Sequence, residues 1–589
     1  MTNLDVAVLI VGGGGCGLSA SIFLANLGVD HLLVERRSDT SQLPKAHYLS
    51  QRTMELYRQH GVAEPIVGQG APLDKFGKVC WQTSLGGGGP LDGRIIHELD
   101  AFGAGALEQI YRADSPSTAT NLPQVRLEPV LRREAEQRSP GRVRFGCEMT
   151  GWTSDADGVT AQLRDNDSGR EYSVRARYLI AADGGRTAAA RARIHMDGLR
   201  QVHNVSTVHF SADLSPWQRD GALLTYFISP DNPAHTGSVL VQMGPTWGRF
   251  SEEWGMHFTA DRSDAALQDP AAVADRIREI LGLPDLDLLV HRTSNWAIDA
   301  VLAYRYRAGR VFLAGDAAHR MPPAAGLGLN TAIQDAHNLA WKLAAVESGW
   351  AGEDLLDTYE SERRPVGRRN LDWALGILTN SQVILDAALG LGPHVPRIAR
   401  KLFFHNYFED SDRGATQRAR AADILGTHRT DCQAHDLELG VAYTEGALCP
   451  DGTAAWPPSP MGDIYRPTTR PGHRLPHAWL HRDGLRHSTL DLAGTGAFGV
   501  ITDEAGDAWV RAAEQVGGEL GVPVVSARIS ELAEGDWHDR DRIWASLSGL
   551  QTGGAILVRP DHHVAWRSRG AVADPVGELA AVLRAVLRR

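Results

Sequence analysis

Residues 12–17 read Gly-Gly-Gly-Gly-Cys-Gly and follow an unbroken apolar run over residues 6–11. A segment this rich in glycine is unfavourable inside a strand or a helix, so the chain turns sharply there. A helix-spaced apolar stretch over residues 18–27 follows, and Glu35 closes the next short run, residues 31–34. Strand, glycine turn, helix, strand and acid in that order predict a βαβ unit with parallel strands. In such a unit the glycines let backbone N–H groups approach a pyrophosphate at the helix N-terminus, where the dipole also favours anions. A carboxylate at the end of the second strand accepts hydrogen bonds from ribose hydroxyls. The segment therefore predicts a dinucleotide site built from Gly12, Gly14, Gly15, Gly17, Glu35 and the adjacent Arg36.

Two further strand-end motifs make that dinucleotide FAD. Asp183-Gly184-Gly185-Arg186-Thr187 ends the apolar run 178–182, and Gly315-Asp316 ends the run 311–314. The second motif continues Ala-Ala-His-Arg-Met-Pro-Pro-Ala-Ala-Gly-Leu-Gly-Leu-Asn to residue 330. Asp316 is placed to accept a hydrogen bond from a ribityl hydroxyl. Pro322-Pro323 stiffens the backbone beside the ring, because proline fixes φ and removes a donor. Beyond Gly326, the N–H groups of Gly328, Leu329 and Asn330 open a helix. The positive end of its dipole would stabilise the negative charge of a reduced flavin.

With 589 residues the chain is longer than one core usually supports. Residues 1–190 read as the first part of the FAD-binding domain, with an insertion at about 75–120. Residues 191–300 carry alternating and β-branched runs (205–210, 223–228, 238–243), the texture of an antiparallel sheet rich in aromatics that can floor an apolar pocket. Residues 301–425 return to the FAD-binding domain and a helical segment, and 426–589 form a C-terminal domain. Gly86-Gly87-Gly88-Gly89-Pro90 reads as a surface loop, since no helix follows it. A net charge of -11 argues against nucleic acid, which needs a positive field. Five cysteines show neither a disulfide framework nor metal spacing, so no metal is expected and a reducing cytoplasm fits. No apolar run reaches membrane-spanning length.

Taken together, the motifs resemble those of the group A flavoprotein aromatic hydroxylases, the class of p-hydroxybenzoate and phenol hydroxylases. Ala46-His47-Tyr48-Leu49-Ser50-Gln51-Arg52-Thr53-Met54-Glu55, Asn121-Leu122-Pro123-Gln124, residues 355–365 and Val558-Arg559-Pro560-Asp561 are similar to the 2,4-dichlorophenol 6-monooxygenase and 2-hydroxybiphenyl 3-monooxygenase branch. The resemblance implies an α/β fold: a Rossmann-like FAD-binding domain, an inserted antiparallel β-sheet substrate domain and a C-terminal thioredoxin-like domain. It also implies a reaction, in which NADH or NADPH reduces FAD, O2 adds at flavin C4a, and the hydroperoxide oxygenates a small aromatic substrate ortho to a phenolic or hydroxypyridine hydroxyl. A base near that hydroxyl would speed attack by forming the phenolate. The matching positions are His47, which would polarise the hydroxyl, and Asp114, which would take the proton. Pro323 matches the proline whose carbonyl lies near C4a, and Arg52 and Gln124 match contacts to the FAD phosphates and ribityl chain.

One departure concerns the turn after Asp183, where Ala190 stands in place of an arginine found in many relatives, leaving the NAD(P)H contacts open. The C-terminal domain lacks a Cys-x-x-C, so it is assigned packing or a role in a homo-oligomer rather than dithiol chemistry. A polyketide-type hydroxylase or epoxidase would share all three FAD motifs. So would a non-catalytic flavin-fold binding module, against which Pro322-Pro323 and Gly326-x-Gly328 argue.

Overall fold

The computed structural model describes residues 4–186, 188–232, 235–259, 264–392, 394–531 and 536–589. Thr187 of the Asp-Gly motif lies outside them. The first domain is built on an eight-stranded sheet. Its parallel centre runs Val311–Leu313, Glu171–Ala181, Leu4–Val11, His31–Glu35, Val143–Phe145. These strands are covered on both faces, which is why residues 6–11 and 311–314 are apolar without alternation. Register pairs Val11 with Ala181 and Ala181 with Leu313, so the three motif-bearing strands end at one level. Helices Gly15–Asn26 and Leu327–Glu347 pack side by side: Cys16 Sγ lies 3.3 Å from the Ala332 carbonyl oxygen. The predicted helices over 18–27 and from Leu329 are thus observed, each beginning two or three residues earlier.

The second sheet also has eight strands. Its longest members, Met196–Ser211 and Leu289–Ala303, pair from Met196↔Ala303 to Ser211↔Leu289 and carry the chain out of the flavin domain and back. Alternation along the strands sorts the residues by face. Val208, Phe210, Trp254, Met256 and Phe258 pack under helix Pro270–Leu281. Thr207, His257, Val239 and Tyr226 lie on the other face, toward the flavin domain. Strands Lys78–Gln82 and Ile95–Asp100 extend this same sheet, the former parallel to Ala222–Phe227. The insertion at about 75–120 therefore supplies part of the substrate sheet, a long-range pairing with no local signature. The glycine-rich segment is the loop between these two strands, exposed from residue 87 to 90.

A seven-stranded sheet forms the C-terminal domain. Parallel strands Phe498–Thr502 and Val524–Ser530 adjoin antiparallel Ala555–Val558 and Val564–Ser568. Helices Asp507–Leu520 and Pro575–Leu587 pack with them in one core, a thioredoxin-like arrangement. That sheet takes up the chain only at Trp479. Residues 426–439, grouped with this domain on sequence, are short helices that pack elsewhere. Cys432 joins Trp81 and Phe102, while Ala434 and Leu437 join Ala325 and Leu327. Their apolar residues serve the flavin and substrate sides of the molecule.

Candidate active site

The three motifs meet at the carboxyl ends of the parallel strands, the place where such sheets bind ligands. Gly12 has a φ of 117°, and a Cβ there would run into the Ala182 carbonyl. A Cβ on Gly185 would stand 3.4 Å from the Asp316 carbonyl oxygen, and one on Gly15 would stand 2.8 Å from Leu329 Cδ1. The glycine loop, both acidic turns and the start of the second helix thus converge on one trough. On its open side, among the described residues, a Cβ at Gly14 would meet nothing nearer than Glu128 Oε1 at 3.5 Å, and one at Gly328 nothing nearer than Met321 Cγ at 3.9 Å. Here side chains are missing where a ligand's phosphates and ring need room.

Polar groups are disposed along the trough. Glu35 accepts the N–H of Gly13 at 2.8 Å and of Arg37 at 3.0 Å, which fixes its carboxylate at the rim of the loop with lone pairs left for ribose hydroxyls. Arg36 and Asp316 are exposed, and Asp183 is half-buried with Oδ1 accepting the Gly185 N–H at 3.1 Å. Gln124 donates its amide to Glu128, which also accepts the Ser41 N–H at 2.7 Å. Glu128 is a trough residue the sequence reading missed; its only signal is the i,i+4 spacing from Gln124 on helix Gln124–Arg138.

Helix Leu327–Glu347 opens with Gly326 at φ 61° and no capping side chain, so its first-turn N–H groups are left for a ligand. Pro322 is buried and Pro323 exposed. Asn330 acts as a staple: Oδ1 accepts from Ser50 N–H at 3.0 Å and Thr53 Oγ1 at 2.6 Å, while Nδ2 donates to the carbonyls of Tyr48 at 3.0 Å and Gly326 at 2.7 Å. Asp335 anchors the Gly315 turn from beneath. It lies 2.7 Å from His319 Nε2 and accepts Arg363 Nε at 2.8 Å and the Gly315 N–H at 3.3 Å. Burial alone would raise its pKa, but His319 and Arg363 hold it below the usual carboxylate range.

Next to the trough lies the substrate face of the second sheet. His47, Tyr226, His257 and Asp431 are enveloped by protein yet each keeps accessible surface, a combination that fits groups lining an enclosed cavity. His47 Nδ1 lies 2.7 Å from Asn121 Oδ1, and burial lowers its pKa against that bond, keeping the ring neutral. His257 faces it from the sheet; burial and then His47 push it down to about 4. Thr207 Oγ1 lies 2.9 Å from His257 Nδ1 and accepts Trp296 Nε1 at 3.0 Å. At the far side Trp81 and Tyr226 stack with centroids 5.5 Å apart.

Two sequence expectations are corrected. Arg52 does not face the trough: it is buried, with Nη1 2.9 Å from Glu55 and Nη2 2.8 Å from the Asp561 carbonyl of the C-terminal domain. Asp114 does not meet His47. It ends helix Glu108–Asp114 with its carboxylate 3.7 Å from His435 and its carbonyl accepting Arg474. Burial raises Asp114 to about 6, with Arg474 opposing. Both residues were drawn away by partners in the C-terminal third of the chain, which motif matching does not see.

Comparison with known proteins agrees with this architecture. The FAD binding domain family matches residues 5–374, and the C-terminal domain of aromatic-ring hydroxylases matches residues 468–589. The tetracenomycin A2 monooxygenase-dioxygenase of Streptomyces glaucescens is 36% identical, over 100% of this chain and 98% of that protein. The 2,4-dichlorophenol 6-monooxygenase of Cupriavidus pinatubonensis is 34% identical, over 100% and 97%. Among solved structures, the flavin-dependent monooxygenase PieE in complex with FAD and substrate superposes with a TM-score of 0.92 at 37% identity, covering 100% of both chains. The converging motifs, the three domains and these full-length likenesses place the chain in the FAD-dependent aromatic-ring hydroxylases, a family of flavoprotein monooxygenases.

Proposed function

We propose that the protein uses NAD(P)H and O2 to hydroxylate a phenolic ring, ortho to its hydroxyl, within a fused multi-ring aromatic molecule. The observation that carries the substrate class is the breadth of the cavity floor. Trp296, Thr207, His257, Val239 and Tyr226 come from five neighbouring strands. At about 4.8 Å per strand that floor is roughly 19 Å across, several times the width of one benzene ring. Its apolar and aromatic surface suits a flat, rigid ligand, and its few polar groups can fix a hydroxyl. Relatives named for polyketide hydroxylation and for simple phenols are both similar to this chain, and the width of the floor favours the larger substrate.

FAD bound in the trough would carry the reducing equivalents from NAD(P)H to O2 and so activate the oxygen. The chain's own residues do the rest. The glycine loop and the start of helix Gly15–Asn26 would hold the pyrophosphate, Glu35 a ribose, and Asp316 the ribityl chain. The first-turn amides of helix Leu327–Glu347 would face the flavin's pyrimidine and favour its anionic reduced form. The buried sheet, Trp81 and Trp296 exclude water from the reacting ring. NAD(P)H is assigned transient binding, because the trough has a single nucleotide cradle among the described residues. The test is NAD(P)H and O2 consumption with product analysis, comparing fused-ring phenols with single-ring phenols and measuring peroxide. Efficient coupled turnover of fused-ring phenols is expected. Coupled turnover confined to single-ring phenols would overturn the substrate class, and failure to release FAD on denaturation would overturn the whole reading.

A further inference from the structure

The Asp114 carboxylate is turned toward His435, and a second carboxylate lies against the flavin-side loop. Asp431, on the short helix Arg429–Cys432, accepts the backbone N–H of Ala325 at 2.5 Å through Oδ1. Ala325 belongs to the loop between Pro323 and the flavin-facing helix, so Asp431 touches the same loop that borders the flavin ring. Its neighbours hold it firmly: Trp373 donates to the Thr430 carbonyl at 3.0 Å, and Phe102 N–H to the Cys432 carbonyl at 2.9 Å. Among the described residues no protein donor reaches Oδ2, and the side chain keeps accessible surface within an enclosed setting. Across the cavity Tyr226 lies within electrostatic reach.

Resting on the proposed hydroxylation of a phenolic ring, we infer that Asp431 is the catalytic base that ionises the substrate hydroxyl. The substrate O–H bond breaks, its electron pair stays on the ring oxygen, and the proton forms a new bond to Asp431 Oδ2. After the ring has taken its oxygen atom and lost its ring proton, Asp431 returns the proton to the product's oxyanion and is regenerated. Oδ1 stays on Ala325 throughout, so the carboxylate holds the substrate hydroxyl at a fixed place relative to the flavin loop. Burial raises the Asp431 pKa to about 6 against the Ala325 bond, which leaves it ionised at neutral pH and makes it a stronger base than a solvated aspartate. Among the described residues no charged partner neutralises it: Arg429 pairs with Asp463 at 3.1 Å instead.

The alternative is that Asp431 only caps the turn at Ala325. Asp431→Asn keeps shape and a cap acceptor but cannot take a proton. In the FAD-loaded enzyme it should retain wild-type flavin content and lower kcat by roughly two to four decades, the usual worth of a positioned base. The loss should shrink progressively along a series of substrates of falling phenol pKa. A bound chromogenic phenol should also ionise at higher pH in the variant than in the wild type. Asp431→Ser, uncharged and smaller, repeats both readouts if the asparagine variant loses flavin. A kcat within about threefold of wild type, or a defect of equal size across the pKa series, would overturn the assignment. If the wild type binds FAD but turns over no phenol at all, the proposed function falls first and the base with it. If the wild type turns over phenols and the variants match it, only the base falls.

Discussion

At the residue scale, the site depends on side chains that make several bonds at once. Asn330 joins the start of the flavin-facing helix to Tyr48, Ser50 and Thr53, and so to the segment carrying His47. Asn330→Ala would strand the buried Ser50 N–H and the Tyr48 carbonyl; each unsatisfied group costs about 1–3 kcal/mol. We expect a lower denaturation midpoint and weaker FAD retention, read by urea unfolding and by flavin fluorescence on dilution. An unchanged midpoint would show that the staple carries no stability. Asp114 offers the opposite expectation. Asp114→Asn should leave the dependence of kcat on substrate pKa as in the wild type, because its carboxylate faces His435 and Arg474. A pKa-dependent defect in that variant would return Asp114 to the cavity.

At the element scale, the helix Leu327–Glu347 presents its N-terminus to the trough, with Leu329 packed near Gly15. Leu329→Asp places a negative charge in the first turn, where reduced flavin would also be negative. Leu329→Asn loses the same packing without the charge, so the pair isolates electrostatics. A charge at a helix terminus is worth roughly 0.3–1 kcal/mol. Flavin reduction should therefore be slower in the aspartate variant than in the asparagine variant, by about two- to fivefold. Equal stopped-flow reduction rates would refute the proposed helix orientation. The elements that build the trough were the most legible part of the sequence, because a glycine turn, an acid and an apolar run are contiguous and each forces one geometry. Glu35, Asp183, Asp316 and Asn330 were singled out that way, and all four lie at the trough or the helix that opens onto it. Asp431, Asp335 and Glu128 escaped it, since their partners Ala325, His319 with Arg363, and Ser41 are remote or only loosely spaced in sequence. Strand Lys78–Gln82 was missed as part of the substrate sheet for the same reason.

At the scale of the whole molecule, the C-terminal domain is tied to the flavin domain by buried charge. Arg474 holds Glu55 through two bonds, one of 2.9 Å from Nε, and Arg559 grips Glu362 at 2.8 and 2.9 Å while Nε reaches Asp561 at 3.0 Å. These side chains exclude water almost completely, so breaking one pair leaves a charge stranded, at about 3–5 kcal/mol. Against the burial that would raise it, Arg474 and then Arg52 and Ser115 pull Glu55 down to about 2. Glu362 is likewise held at about 2 by Arg559 and Lys342. A carboxylate whose folded pKa is depressed stabilises the fold above its unfolded value, 4.5, and loses that contribution as the pH falls toward 2. The buried histidines act over a different range. His60 and His562, pushed by burial to about 3, destabilise the fold once the pH drops below their ordinary 6.5, because the unfolded chain then binds protons the folded one refuses. Glu55→Gln should therefore be less stable than wild type at pH 7, by about 3–5 kcal/mol. The two proteins should share the decline from pH 6.5 to 4.5, and their difference should narrow below 4.5 as the wild type alone protonates Glu55. Urea midpoints at pH 7, 5 and 3 test this, and a gap that stays constant down to pH 3 would mean that the Glu55 carboxylate charge is not what joins the domains.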